Sequence, residues 1–174
     1  MGHSRLIDIG GGPGTYAVHF CLHNRNLRAV VFDLPDTRPF AEQTIARFGV
    51  QDRVRFAAGD YHSDPIAGSY DAAWLSHILH AEGPEGAARI VAKAVKALEP
   101  GGLLFIHEFI MDDSFDGPLF PALFALNMLV NTSEGRSYAQ REIRDIMADA
   151  GLRNIGRLDF KGPNESGIMR GERR

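Results

Sequence analysis

Along the 174 residues, short apolar runs alternate with stretches in which apolar residues recur every three or four positions. "RLIDIG" (5–10) reads as a buried strand and "TYAVHFCLHN" (15–24) as the helix that follows it. "RAVVFDL" (28–34) is a second strand ending on an acid, Asp33. "DTRPFAEQTIARFG" (36–49) is helical and closes on Gly49, near the position where helix ends favour glycine. "RVRFAAGD" (53–60) and "YDAAWLSHIL" (70–79) are the third and fourth strands. "PEGAARIVAKAVKALEPGG" (84–102) is a helix with Pro84 in its first turn and a stop at Pro100-Gly101-Gly102. "LLFIHEFI" (103–110) is a fifth strand, and a helical region follows over 121–150, interrupted near 132–136. Two weaker strands, near 152–160 and 166–171, finish the chain. Near-continuous apolar strands between helices imply a parallel sheet covered on both faces. The expected fold is therefore α/β, a doubly wound, mostly parallel, seven-stranded Rossmann-like sheet in a single domain over 1–174. In such sheets ligands bind beyond the carboxyl ends of the strands, where the strand order reverses.

Composition narrows the classes. With 44% hydrophobic and 24% charged residues the chain is an ordinary globule, and a net charge of −3 speaks against a nucleic-acid partner. The single cysteine, Cys21, cannot form an internal disulfide, and its place on an apolar helix face reads as core. No Cys/His spacing suggests a zinc site, so no metal is expected. The chain runs straight into a strand pattern, so no signal peptide and a cytoplasmic setting are expected. The most apolar run, "LFPALFALNMLV" (119–130), is too short for a bilayer and contains Pro121, so no membrane partner is expected. A buried helix is the default for such a run, and it is also the strongest candidate for an exposed apolar patch.

The chemistry concentrates in "LIDIGGGPGT" (6–15). Gly10, Gly11, Gly12 and Gly14 stand between a strand and a helix, where absent side chains let a ligand approach the backbone and the helix start offers unpaired N–H groups. Two cofactor classes use such a loop. Read from Gly12, G-P-G-T-Y-A meets the dinucleotide fingerprint, and Asp33, 19 positions after Gly14, suits a ribose-binding acid; this is the NAD reading. Read from Asp8, the spacing Asp8-x-Gly10-x-Gly12-x-Gly14 resembles the first motif of class I S-adenosylmethionine-dependent methyltransferases. Asp33 serves the ribose in either reading. "AAGDY", which places Asp60 at the end of strand three, and "LEPGGLLFI", a helix-to-strand turn typical of methyltransferases, favour the methyl donor.

The resemblance narrows further. "FDLP", "GDY", "ILH", "HEF" and "NMLVNTSEGRSYAQREIRDIMADAGL" together are similar to the catalytic half of the small-molecule O-methyltransferases, the caffeate- and flavonoid-type plant enzymes and their bacterial relatives. That resemblance implies S-adenosyl-L-methionine as cofactor, with Asp8, Gly10, Gly12 and Gly14 cradling its methionine end, Asp33 on the ribose and Asp60 on the adenine. Leu34, Tyr61 and Ser76 complete the implied cofactor set. His80, rather than His77, matches the family base; His77 reads as structural. Glu108, 28 positions later, matches the carboxylate that orients the base. Asn127 and Met128 are implied to line the acceptor pocket.

The roles make chemical sense. A phenol of pKa near 10 is mostly protonated at neutral pH, and a neutral imidazole can take its proton during attack, an effect of about 10²–10⁴-fold. A carboxylate on the other ring nitrogen fixes the tautomer. The chain also departs from the family pattern. Ala81 and Glu82 follow His80 where plant members have aspartate and tryptophan, and Gly135 precedes Arg136 where they have a second orienting glutamate, Glu134 lying one step earlier. Asp112 and Asp113 read as a solvated turn. The N-terminal helical domain through which the family usually forms homodimers has no counterpart before strand one. The expected activity is methyl transfer from S-adenosyl-L-methionine to a hydroxyl of a small, aromatic acceptor. An NAD-binding oxidoreductase domain, a non-catalytic cofactor-binding module, and a nitrogen or carbon acceptor are the alternatives.

Overall fold

The structure, a computed structural model, describes residues 5–174. Its strands are β1 (Arg5–Ile9), β2 (Arg28–Asp33), β3 (Val54–Ala58), β4 (Tyr70–Ser76), β5 (Leu98–Glu108), β6 (Leu152–Arg157) and β7 (Gly167–Arg173). They form one sheet in the order β3-β2-β1-β4-β5-β7-β6. The first five are parallel, and β7 runs antiparallel to both β5 and β6. The reversal in strand order falls between β1 and β4, which places the ligand crevice of this fold class beyond Ile9 and Ser76.

The described residues form five α-helices, α1 (Thr15–His23), α2 (Arg38–Arg47), α3 (Pro84–Ala97), α4 (Leu119–Asn131) and α5 (Gln140–Asp149), of which α1, α2, α3 and α5 pack on the sheet. In α3, Ala87, Ile90, Val91, Ala94 and Val95 repeat at helical spacing and are buried together. They share one core with Ile143 and Met147 of α5 and with Ile7, Ile9, Ala73 and Leu75 of the sheet. The alternate positions Leu6, Ala72 and Trp74 face the other side, where Ala17, Val18 and Cys21 of α1 and Ile45 of α2 close a second core. Strand alternation thus builds the two-sided packing, and Cys21 is core as its helical position indicates.

Some boundaries move. The fourth strand stops at Ser76, short of Leu79, because His77 takes a left-handed backbone (φ 57) and Leu79–Ala81 coil into a 3-10 turn. The helix α3 ends at Ala97, ahead of Pro100, because Leu98 is already extended and paired with Tyr70. The break between the last two helices widens to 132–139, where Met111 and Ala139 form a bridge. Among the described residues no helix is long and apolar enough to cross a membrane. In α4 only Pro121 is buried, while Leu119, Leu126, Leu129 and Val130 are 60–81% exposed, so the default expectation of a buried helix gives way to the exposed patch.

Candidate active site

The glycine loop folds around a buried charge. Alternation along β1 points Asp8 to the same side as Leu6, under the start of α1, where it is 1% exposed. Its Oδ2 accepts the Ala17 N–H at 3.3 Å, and its Oδ1 is buried without a hydrogen-bond partner. Burial pushes the Asp8 carboxyl up to about 7; the Ala17 N–H opposes this and the charge of Asp33 adds to it. Gly10, Gly12 and Gly14 all have positive φ, 65°, 52° and 74°. Gly11 is required for a different reason: a Cβ there would lie 2.7 Å from the Asp8 carboxyl carbon. Glycine-counting motifs pass over Gly11, and only the triple "GGG" hinted at it.

The neighbouring strand ends supply the rest of a cleft. At the end of β2, Asp33 accepts the N–H groups of Gly12 and Leu34, each at 2.7 Å. Beyond β3, Asp60 Oδ1 caps the His62 N–H at 2.8 Å. Lys93 of α3 ties this loop down by donating to the carbonyls of Tyr61, His62 and Asp64 at 2.8, 2.6 and 3.1 Å. Gly10, Asp33, Leu34, Asp60, Tyr61, His62 and Ile78 then line a cleft of about 270 Å³. Five of these seven are cofactor residues expected from the sequence. His62, Ile78 and the Lys93 anchor are additions that only the folded loop discloses.

Two residues beyond Ile78, His80 Nδ1 lies 3.0 Å from Glu108 Oε2, and Glu108 Oε1 also accepts the His80 backbone N–H at 3.3 Å. The parallel pairing of β4 with β5 sets this up, since it brings the end of β5 beside the turn after β4. Glu108 is 2% exposed. Burial by itself would raise its carboxyl, but hydrogen bonding and positive charge from His77 and His80 outweigh that and hold it down at about 2. His77 Nδ1 stands 3.7 Å from the same Oε2, beyond a good hydrogen bond, so we count it as a charge contact and the His80 bond as the primary one. His77 therefore lies in the site, where the sequence reading made it only structural.

Apolar rings surround this pair. His80 meets the Phe124 ring edge-on at 4.9 Å, and Phe109 contacts both Phe120 (4.9 Å) and Phe124 (4.7 Å). Behind them, buried His107 bonds Ser76 Oγ through Nδ1 and Ser166 Oγ through Nε2, both at 3.0 Å. Burial, with His77 adding to it against Glu108, pushes His107 down to about 4, which keeps it neutral and structural. Ser76, expected at the cofactor, spends its hydroxyl on His107. Asn127 is exposed and holds Asn131 Nδ2 at 2.7 Å, and Met128 is half-buried on α4. Gly135 explains the missing second glutamate: a Cβ there would lie 2.7 Å from the His80 carbonyl oxygen, which accepts the Arg136 N–H at 2.8 Å. Glu134 packs instead against Gly83 at the start of α3.

The O-methyltransferase domain family matches residues 1–153. The chain belongs to that family. This methyltransferase domain is 36% identical over 170 residues to the 3-hydroxy-5-methyl-1-naphthoate 3-O-methyltransferase of Streptomyces sahachiroi, covering 98% of the domain and 49% of that protein. It is 30% identical over 171 residues to the L-tyrosine C(3)-methyltransferase of Streptomyces lavendulae, covering 97% and 47%. The solved structure of PigF with SAH superposes with a TM-score of 0.89 at 28% identity, covering 98% of the domain and 50% of that chain. The domain spans about half the length of the curated relatives it matches. Its sheet is the Rossmann-like methyltransferase sheet expected from the alternation of elements.

Proposed function

We propose that this domain transfers a methyl group from S-adenosyl-L-methionine to a hydroxyl of a small aromatic acceptor, with His80 as the general base. The observation that carries the proposal is the 3.0 Å contact between His80 Nδ1 and the buried Glu108 carboxylate. A carboxylate there holds the ring proton on Nδ1 and leaves the Nε2 lone pair as acceptor, the tautomer that a general base needs.

The residues present fit the cofactor. Asp8 Oδ1 is a buried acceptor without a partner beneath a loop whose Gly11 has no room for a side chain. Asp8, Gly10, Gly12 and Gly14 would take the methionine end, Asp33 the ribose hydroxyls, and Asp60, with Leu34, Tyr61 and Ile78, the adenine. When bound, S-adenosyl-L-methionine would supply an electrophilic methyl group on a positively charged sulfur. The chain's own work is to exclude water with the Phe109, Phe120 and Phe124 rings, to hold the acceptor in line, and to receive its hydroxyl proton at His80 Nε2. Glu108 stabilises the imidazolium formed in that step.

A second reading keeps the donor and moves the bond to carbon. It is supported by the tyrosine C(3)-methyltransferase among the relatives. Removing a phenol's proton also raises electron density on the ring carbons beside the oxygen, so the same base would serve. The test is transfer of labelled methyl from S-adenosyl-L-methionine to hydroxynaphthoates and simple phenols, with the product's new bond assigned by NMR. An O-methyl product supports the first reading and a ring-methyl product the second. No transfer by a folded chain that binds S-adenosylhomocysteine would refute both for this domain.

A further inference from the structure

We propose that His77, His80 and Glu108 form a site for one zinc-class divalent cation, and that filling it disables His80 as a base. Three nitrogen and oxygen donors, one from each residue, lie within 4.8 Å of one another. Glu108 Oε2 is 3.0 Å from His80 Nδ1 and 3.7 Å from His77 Nδ1. Donors held tetrahedrally about 2.0–2.1 Å from a zinc ion sit roughly 3.4 Å apart, so both Glu108 contacts need shifts of only a few tenths of an ångström.

The donor set selects the ion. Two imidazoles and one carboxylate suit zinc and its neighbours, whereas magnesium and calcium prefer oxygen alone. His77 Nδ1 is buried and has no hydrogen-bond partner, so in the neutral ring with its proton on Nε2 the Nδ1 lone pair is available without breaking an existing bond. The left-handed backbone at His77 (φ 57), with Phe109 packed at 4.4 Å and His107 at 4.6 Å, aims the ring toward Glu108. Glu108 supplies the negative charge. Three protein ligands leave a fourth position for water.

The consequence follows from the tautomer. A working His80 keeps its proton on Nδ1, donated to Glu108, and its lone pair on Nε2. A cation at Nδ1 displaces that proton, and the neutral ring then carries its hydrogen on Nε2. A donor replaces the acceptor where the acceptor's hydroxyl would deliver its proton. The link to catalysis rests on the proposed methyl transfer; the binding and the tautomer change do not.

The experiment is titration of the purified, tag-free chain with zinc chloride by chelator competition, with magnesium chloride in parallel. Long-range ¹H–¹⁵N NMR reads the His80 tautomer. The expected result is one zinc per chain, no magnesium uptake, and movement of the His80 proton to Nε2. Binding should weaken at least tenfold in His77→Asn, since asparagine tolerates the left-handed backbone there, and in Glu108→Gln, with circular dichroism confirming the fold. His19 and His23, exposed four residues apart on α1, are the competing chelate. Loss of binding in His19→Gln/His23→Gln but not in His77→Asn would overturn the proposal. So would the absence of zinc uptake, or uptake with the His80 proton still on Nδ1.

Discussion

Replacing Asp8 by asparagine should change how stability depends on pH. Asp8 titrates at about 7 in the folded chain against an ordinary 3.8, because burial outweighs the one N–H that supports its charge. Between those values the folded state holds a proton that the unfolded state has released. Stability therefore falls as pH rises through that window, by up to about 1.4 kcal/mol per pH unit, and is lost in full once pH passes the folded value. From pH 5 to pH 8 the penalty grows by about 3 kcal/mol. Asparagine keeps the acceptor for Ala17 N–H and cannot ionise, so the variant escapes that share of the loss. Its new N–H faces the partnerless Oδ1 position, which costs about 1–3 kcal/mol at every pH and leaves the slope untouched. The assay is urea unfolding followed by Trp74 fluorescence at pH 5, 6, 7 and 8 for both proteins. Other titrating groups cancel in the difference. The stability difference should move by about 3 kcal/mol in the variant's favour across that range. Parallel pH profiles would refute the claim that Asp8 is buried against its charge.

Other perturbations separate the parts of the site. Asp33→Ala should weaken S-adenosylhomocysteine by about 1.5–3 kcal/mol in calorimetry, since a charged acceptor is lost; unchanged affinity would remove Asp33 from the ribose. The same titration with NAD should show no binding, and NAD binding alone would restore the oxidoreductase reading. Gly11→Ala should lower the unfolding free energy by about 1–3 kcal/mol, because the new methyl meets the Asp8 carboxyl at 2.7 Å. Gly156→Ala, which meets nothing within 4 Å, should be neutral or stabilising in the same melt.

What could be read in advance was local. The strand, the glycine run and the helix start of 5–23 lie within one short segment, so spacing alone conveys their geometry. The two-sided sheet followed from apolar runs; β6 falls within its expected range, while β7 runs two residues past its expected end at 171 because its pairing with β6 continues to Arg173. His80 and Glu108 were paired through a family resemblance, since nothing local joins residues 28 positions apart. The parts that escaped depend on contacts between distant segments. Lys93 is an ordinary surface lysine by its helical position, and only the folded loop at 61–64 turns it into an anchor. His77 looked like the tail of a strand, and its left-handed turn beside Glu108 is a tertiary outcome. The bond between the Ser76 hydroxyl and His107 likewise forms only because β5 lies beside β4.

The role of His80 is tested most directly by single-turnover methyl transfer by wild type and His80→Ala, at saturating cofactor, with an accepted phenol. With His80 as the base, the variant's rate should fall by about 10²–10⁴-fold with S-adenosylhomocysteine affinity unchanged. A variant that transfers at the wild-type rate would contradict that role, because the proton would then leave by a route that does not involve His80.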